Sequence, residues 1–169
     1  MFEFKLYYYK HQFVTVDRTL ELYFQGCDIR CHGCQNEALW EQDEEHLRDV
    51  SDILNELKDY VPIAKCIHIL GGEPLKQDFD AMTAFLKELR EMFPNTPIYF
   101  FTGYNYNEAT VHNFNSLPQF QYVDAVKVGS YREDALNISK HIDPVLGIAL
   151  ASTNQRGIRI SHGKKKEEE

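Results

Sequence analysis

The sequence predicts an α/β protein, a partial and open-sided barrel of mainly parallel strands, and three observations carry that expectation. Short apolar runs closed by glycine alternate with segments of helical periodicity, the arrangement that feeds a parallel sheet through crossover helices. At 169 residues the chain is too short for a complete eightfold barrel, which takes roughly 250. Its 43% of hydrophobic residues suits one domain with a real core. Neither an internal repeat nor a domain boundary is visible, so one domain is expected over residues 1–160, with 161–169, ending in "KKKEEE", as a solvated, disordered tail.

The elements follow in order. "FEFKLYYY" and "TLELYFQG" are rich in aromatic and β-branched residues with partial alternation, which predicts two early strands, the second ending at Gly26. In "EEHLRDVSDILNELKDY", Leu47, Val50, Ile53, Leu54 and Leu57 recur at helical spacing behind acidic residues, the pattern of an amphipathic helix. "CIHIL" is a short buried strand that breaks at "GGEP", and "FDAMTAFLKELREMF" resumes helical spacing before Pro94. "PIYFFTGY" and "VDAVKVGS" are two further strands closed by glycine, with a short helix "NEATVHNF" between them.

Charge excludes some functions. A formal net charge of −8 argues against nucleic acid as a partner, because phosphate-tracking surfaces show a basic excess. The start has no basic segment followed by a long apolar run, and no window is long enough to span a bilayer, so a cytoplasmic protein without membrane association is expected. In a reducing compartment the cysteines Cys27, Cys31, Cys34 and Cys66 point to metal binding or catalysis more than to disulfides.

Three of those cysteines crowd the loop "GCDIRCHGCQN" that follows the second strand. A C-x3-C-x2-C loop can wrap one metal centre, and thiolate-only ligation suits a four-iron cluster with one iron left without a protein ligand. Structural zinc is the alternative, but it usually takes two separated ligand pairs and no second C-x2-C is present; His32, adjoining Cys31, is awkwardly placed for joint ligation. An open iron invites a chelating ligand such as S-adenosylmethionine. In "GGEP", Gly71 and Gly72 let the backbone approach a ligand and Glu73 offers an anion to an ammonium group; a plain turn opening a helix is the simpler reading of the same residues. Cys66 and His68 sit in an apolar strand, where a buried thiol and a hydrogen-bonded histidine are the usual outcome.

With "GCQNEALW", "TGY" (Thr102–Tyr104) and "STNQ" (Ser152–Gln155) in the same order, the chain resembles the radical S-adenosylmethionine enzymes, and among them the activating proteins of anaerobic ribonucleoside-triphosphate reductases. The resemblance implies a (βα)6-type radical S-adenosylmethionine barrel, a [4Fe-4S] cluster on Cys27, Cys31 and Cys34, and S-adenosylmethionine as cofactor. It places Gly72 and Glu73 at the methionine amino group, the backbone at Gly33, Cys34 and Gln35 near the adenine, and Thr102 near the ribose. The implied partners are the reductase, one of whose glycines would lose a hydrogen atom, and an electron donor such as flavodoxin. A deazapurine-forming synthase of the same superfamily is a rival, though "TGY" and "STNQ" give it no support, and a non-enzymatic zinc module is another. The chain departs from the family's V-D-G pattern, having Val128 before Gly129, while Gly33 between the second and third cysteines is as in the activators. Asn36, Trp40, Asn154 and Gln155 have family parallels, to which the sequence assigns either loop bracing or partner contact.

Overall fold

The computed structural model describes residues 4–105 and 118–160. β1 (Lys5–Val14) and β2 (Thr19–Phe24) pair antiparallel through a tight turn in which Arg18 takes a positive φ of 58°. β3 (Leu47–Asp49) adds to the other edge of β1, antiparallel, and runs directly into α1 (Val50–Leu57). β4 (Cys66–Gly71) lies parallel to β2; α2 (Phe79–Met92) then leads to β5 (Ile98–Phe101), parallel to β4. β6 (Ala125–Val128) continues the parallel set, and β7 (Arg156–Arg159) returns antiparallel to it. The sheet order is β3-β1-β2-β4-β5-β6-β7.

This corrects the barrel expectation. The sheet has seven strands, is mixed, ends in two edge strands and does not close, and the described residues hold only the two α-helices. The physical reason lies in the connections. A parallel neighbour requires a crossover, commonly a helix, whereas a tight turn suffices for an antiparallel one. The β1–β2 turn and the irregular return before β7 thus remove the repeating strand–helix unit on both flanks, and only β2, β4, β5 and β6 pair in parallel.

The helix expected from Glu44 is shorter than its apolar spacing suggests. Glu44–His46 is a single 3-10 turn and Leu47–Asp49 is strand, because the free edge of β1 takes up the backbone of Leu47 to Asp49. Val50, Ile53, Leu54 and Leu57 are the buried face of α1, as their spacing predicts. α2 begins where expected: the Asp78 carboxylate accepts the Ala81 N–H at 2.9 Å as its N-cap. The segment "NEATVHNF" and the tail at 161–169 lie outside the described residues. Among the described residues no helix is long and apolar enough to cross a membrane.

Strand alternation divides the sheet between core and site. Leu22, Phe24, Ile67, Ile69, Phe100 and Val126 pack with Ile53, Leu57, Phe85 and Leu89 of the helices in one cluster. The intervening residues Tyr23, Leu70, Phe101 and Lys127 fall on the opposite face, where they line a cavity.

Candidate functional site

The cavity, about 230 Å³, lies at the carboxyl ends of the parallel strands, where open α/β sheets bind ligands. Its wall includes Cys27, Cys31 and Cys34 from the loop after β2, Gly71 and Gly72 after β4, Thr102 and Gly103 after β5, and Ser130 and Tyr131 after β6. The three thiols predicted to act together therefore share one wall. Cys66 is at the opposite end of β4 from Gly71, roughly 17 Å away at 3.3 Å per strand residue, and burial pushes its thiol up to about 12.

The loops around the cavity are stitched to one another by backbone bonds. Gly72 N–H donates to Phe24 O at 2.9 Å and Glu73 N–H to Gly26 O at 2.6 Å, while Gly26 N–H donates to Leu39 O at 2.8 Å and Cys27 N–H to Trp40 O at 3.0 Å. Gly72 is required by this approach: a Cβ there would sit 2.5 Å from Leu39 O and 2.6 Å from Gly26 O. The cysteine loop is held further at Asp28, which receives Lys76 Nζ at 3.0 Å and the Tyr104 hydroxyl at 3.3 Å. His32 points away from the wall and faces Glu133 at 3.2 Å, so it is not a fourth ligand in this arrangement.

Glu73 is buried to 1% exposure and its carboxylate ties the two glycine loops together. Oε1 accepts the Thr102 hydroxyl at 2.8 Å and the Gly103 N–H at 2.6 Å, and Oε2 accepts the Leu75 N–H at 2.9 Å. Burial raises its pKa, against the pull of those bonds and of Lys127. Thr102 Oγ1 also accepts the Tyr104 N–H at 3.2 Å, the local backbone cap that a strand-end threonine often makes. Gly33 and Gln35 are exposed and outside the cavity wall, although Gly33 has the positive φ, 76°, that suits glycine.

Lys127 is the residue that sequence reading missed. It is 9% exposed, lines the cavity, and donates from Nζ to Gly129 O at 2.9 Å. Burial depresses its pKa to about 8, opposed by the charges of Glu73 and Cys31. A lysine inside the apolar stretch "AVKV" was the available signal. Val128, which stands where the family has aspartate, faces the core at 2% exposure. The "STNQ" residues brace the loop after β6: Asn154 Nδ2 donates to Ser130 O at 2.8 Å, and Gln155 Nε2 to Gly129 O at 3.2 Å. His68, expected to be a satisfied strand histidine, packs against the rings of Tyr99 and Phe101, and burial lowers its pKa to about 4.

The donor set fits an iron–sulfur cluster better than a single zinc. Thiolates at about 2.3 Å from one tetrahedral ion lie roughly 3.8 Å apart. Among the described residues, the only trio of ligand atoms lying within 4.8 Å of one another is Asp43, Glu45 and His46, so the three cysteine sulfurs are spread more widely than that around the cavity. Trp40 is among the residues of the wall.

Comparison with known proteins agrees. The chain belongs to the 4Fe-4S single cluster domain family, which matches residues 18–146. Within it, the chain is similar to proteins named anaerobic ribonucleoside-triphosphate reductase-activating protein. That of Haemophilus influenzae is 27% identical over 155 residues, covering 89% of this chain and 94% of the relative. The one from Enterobacteria phage T4 is 25% identical over 118 residues, 67% and 70% of the two chains, and that of Vibrio cholerae 24% over 134 residues, 73% and 84%. The likeness to reductase activators drawn from the motifs is thereby borne out.

Proposed function

We propose that this chain is a radical S-adenosylmethionine activase that installs a glycyl radical on an anaerobic ribonucleoside-triphosphate reductase. The observation that carries the reading is the cavity whose wall brings three cysteines together with Gly71 and Gly72 of "GGEP" and Thr102 and Gly103 of "TGY" at the strand ends, Glu73 lying just behind that wall; the names of the relatives supply the partner. When bound and reduced, by a donor such as flavodoxin, the cluster supplies the electron that splits S-adenosylmethionine into methionine and the 5′-deoxyadenosyl radical, which takes hydrogen from a glycine of the reductase.

The chain's own residues hold and orient the reactants. Cys27, Cys31 and Cys34 hold the cluster. The Gly72 backbone and the lone pair of Glu73 not used by Thr102, Gly103 or Leu75 receive the methionine ammonium. Lys127, with donors beyond the one spent on Gly129 O, supplies a cation for a carboxylate in the same cavity. Thr102 has one acceptor lone pair left for a ribose hydroxyl. The backbone from Gly33 to Gln35 approaches the adenine as the cofactor closes onto the cysteine loop.

Anaerobic reconstitution tests the reading: a reduced chain carrying iron and inorganic sulfide should form 5′-deoxyadenosine from S-adenosylmethionine. A chain that takes up zinc without sulfide refutes it. Two substitutions refine it. Glu73→Gln should keep the cluster and lower S-adenosylmethionine affinity roughly ten-fold or more in anaerobic calorimetry, since a charge-assisted bond is typically worth about 1.5 to 3 kcal/mol; unchanged affinity returns "GGEP" to a plain turn. Lys127 is charged below its pKa of about 8, so affinity should fall as pH rises through that value, and Lys127→Met should be weaker throughout and lose the pH dependence.

A further inference from the structure

Leu136, Ile138 and Ile142 are exposed apolar side chains that fall together in one short stretch of the irregular excursion between β6 and β7, and Ile138 is 86% exposed. Large apolar residues scattered singly over a surface are ordinary, whereas a group in one segment points to a contact. The segment is held in shape by its own polar groups. Asn137 Nδ2 donates to the carbonyls of His141 at 2.9 Å and Leu150 at 3.0 Å, Asn137 Oδ1 accepts the His141 N–H at 3.1 Å, and the Lys140 N–H closes the turn on Asn137 O at 3.1 Å. Ile138 is therefore presented on a turn whose shape is already fixed, which lowers the entropy that a contact there would cost.

The excursion starts and ends at the cavity that the three cysteines share. Ser130 and Tyr131 line that cavity at its beginning and Gln155 at its end, and Gln155 also lines a second cavity, of about 340 Å³, with Asn137, Ser139 and His141. Between these points the chain doubles back on itself: the Asn137 N–H donates to Ala151 O at 3.1 Å and the Thr153 N–H to Ala135 O at 2.7 Å. A protein that inserts a loop into the first cavity has this segment as its neighbour. The charge of the segment is opposite to that of the whole chain. From Leu136 to Arg159 the cations Lys140, Arg156 and Arg159 stand against one acid, Asp143, whose carboxylate is taken up by the N–H groups of Val145, Leu146 and Gly157, while the chain has a net charge of −8. The acids just before it are engaged as well, Asp134 with Arg132 at 2.8 Å and Glu133 with His32 at 3.2 Å.

We propose that this excursion is the surface on which the reductase docks, with Ile138 entering an apolar socket in an otherwise acidic face of that partner. The inference rests on the activase reading above and adds to it the place where the reductase is gripped. Apolar burial at the centre supplies affinity, and the basic surround steers the approach and fixes orientation. Val16 serves as the contrast: it is 91% exposed in the turn between β1 and β2, at the opposite end of the sheet from the cavity, and has no part in the contact.

The test uses the cluster-loaded full chain and its cognate anaerobic ribonucleoside-triphosphate reductase, with affinity measured by anaerobic calorimetry. Ile138→Glu should weaken binding roughly tenfold or more, Lys140→Glu should weaken it too, and Val16→Glu should bind as the unaltered chain does. Affinity of the unaltered chain should fall as salt rises. All three variants should keep their urea midpoints, because the side chains replaced are exposed, and should cleave S-adenosylmethionine with dithionite at the unaltered rate when no reductase is present. Full affinity in Ile138→Glu overturns the docking surface and leaves the activase reading standing. An equal loss in Val16→Glu overturns it also, and so does an Ile138→Glu chain in which only self-association changes, which would assign the patch to a second copy. Affinity indifferent both to salt and to Lys140→Glu refutes the acidic face of the partner. An unaltered chain that cleaves S-adenosylmethionine and does not bind the reductase sinks the activase reading itself.

Discussion

Alanine at any one of Cys27, Cys31 or Cys34 is expected to abolish stable four-iron loading and, with it, all reductive cleavage of S-adenosylmethionine. In the proposed assignment each thiolate would be one of three on a cluster with one iron lacking a protein ligand, and the remaining two could not enclose it. The nearest candidates among the described residues offer no substitute: His32 is turned toward Glu133, and Cys66 is at the far end of β4. Cys66→Ala should accordingly load as the unaltered chain does. Iron and sulfide analysis after anaerobic reconstitution reads the series, and a Cys31 variant with a full complement beside a Cys66 variant without iron would reverse the ligand assignment.

Gly71→Ala is expected to have the largest effect on the fold, a loss of at least about 3 kcal/mol. Gly71 has φ 141°, a conformation open to glycine, and a Cβ would overlap the Phe24 carbonyl and come within 2.5 Å of its nitrogen. Those atoms belong to the β2–β4 pairing at the base of the cysteine loop, so the strain cannot be relieved by turning a side chain. Gly147→Ala is the control: φ there is 71°, but nothing lies within 4 Å of the added carbon, and the cost should be about 1 to 2 kcal/mol. Urea unfolding of the two apo variants measures the difference. Equal midpoints would show that backbone conformation, and not the close approach of Phe24, requires glycine at position 71.

What was legible in the sequence was whatever local pattern decides. α2 carries its own capping aspartate and apolar stripe, and β4, β5 and β6 are apolar runs punctuated by glycine, so these were found. The cysteine spacing likewise singled out three residues that share the cavity wall, without any knowledge of the fold. What escaped depends on distant partners. Leu47–Asp49 continues a helical pattern and becomes strand because β1 offers an edge. The return to β7 is organised by polar side chains meeting remote backbone, as when Asp143 accepts the N–H groups of Leu146 and Gly157 at 2.9 Å each. The barrel expectation failed on those two flanks. Lys127 escaped because a lysine in a strand reads as a solvent-facing residue until its neighbours in the sheet enclose it.

The most direct measurement mixes the reduced, cluster-loaded chain with S-adenosylmethionine and a cognate anaerobic ribonucleoside-triphosphate reductase, and records the electron paramagnetic resonance spectrum. A radical on the reductase is expected, with a doublet splitting from the α-hydrogen that collapses when the reductase is made with deuterated glycine, while deuterium appears in the 5′-deoxyadenosine. Cleavage of S-adenosylmethionine without a reductase-centred radical, across cognate reductases, would contradict the activase function and assign the chemistry to another substrate.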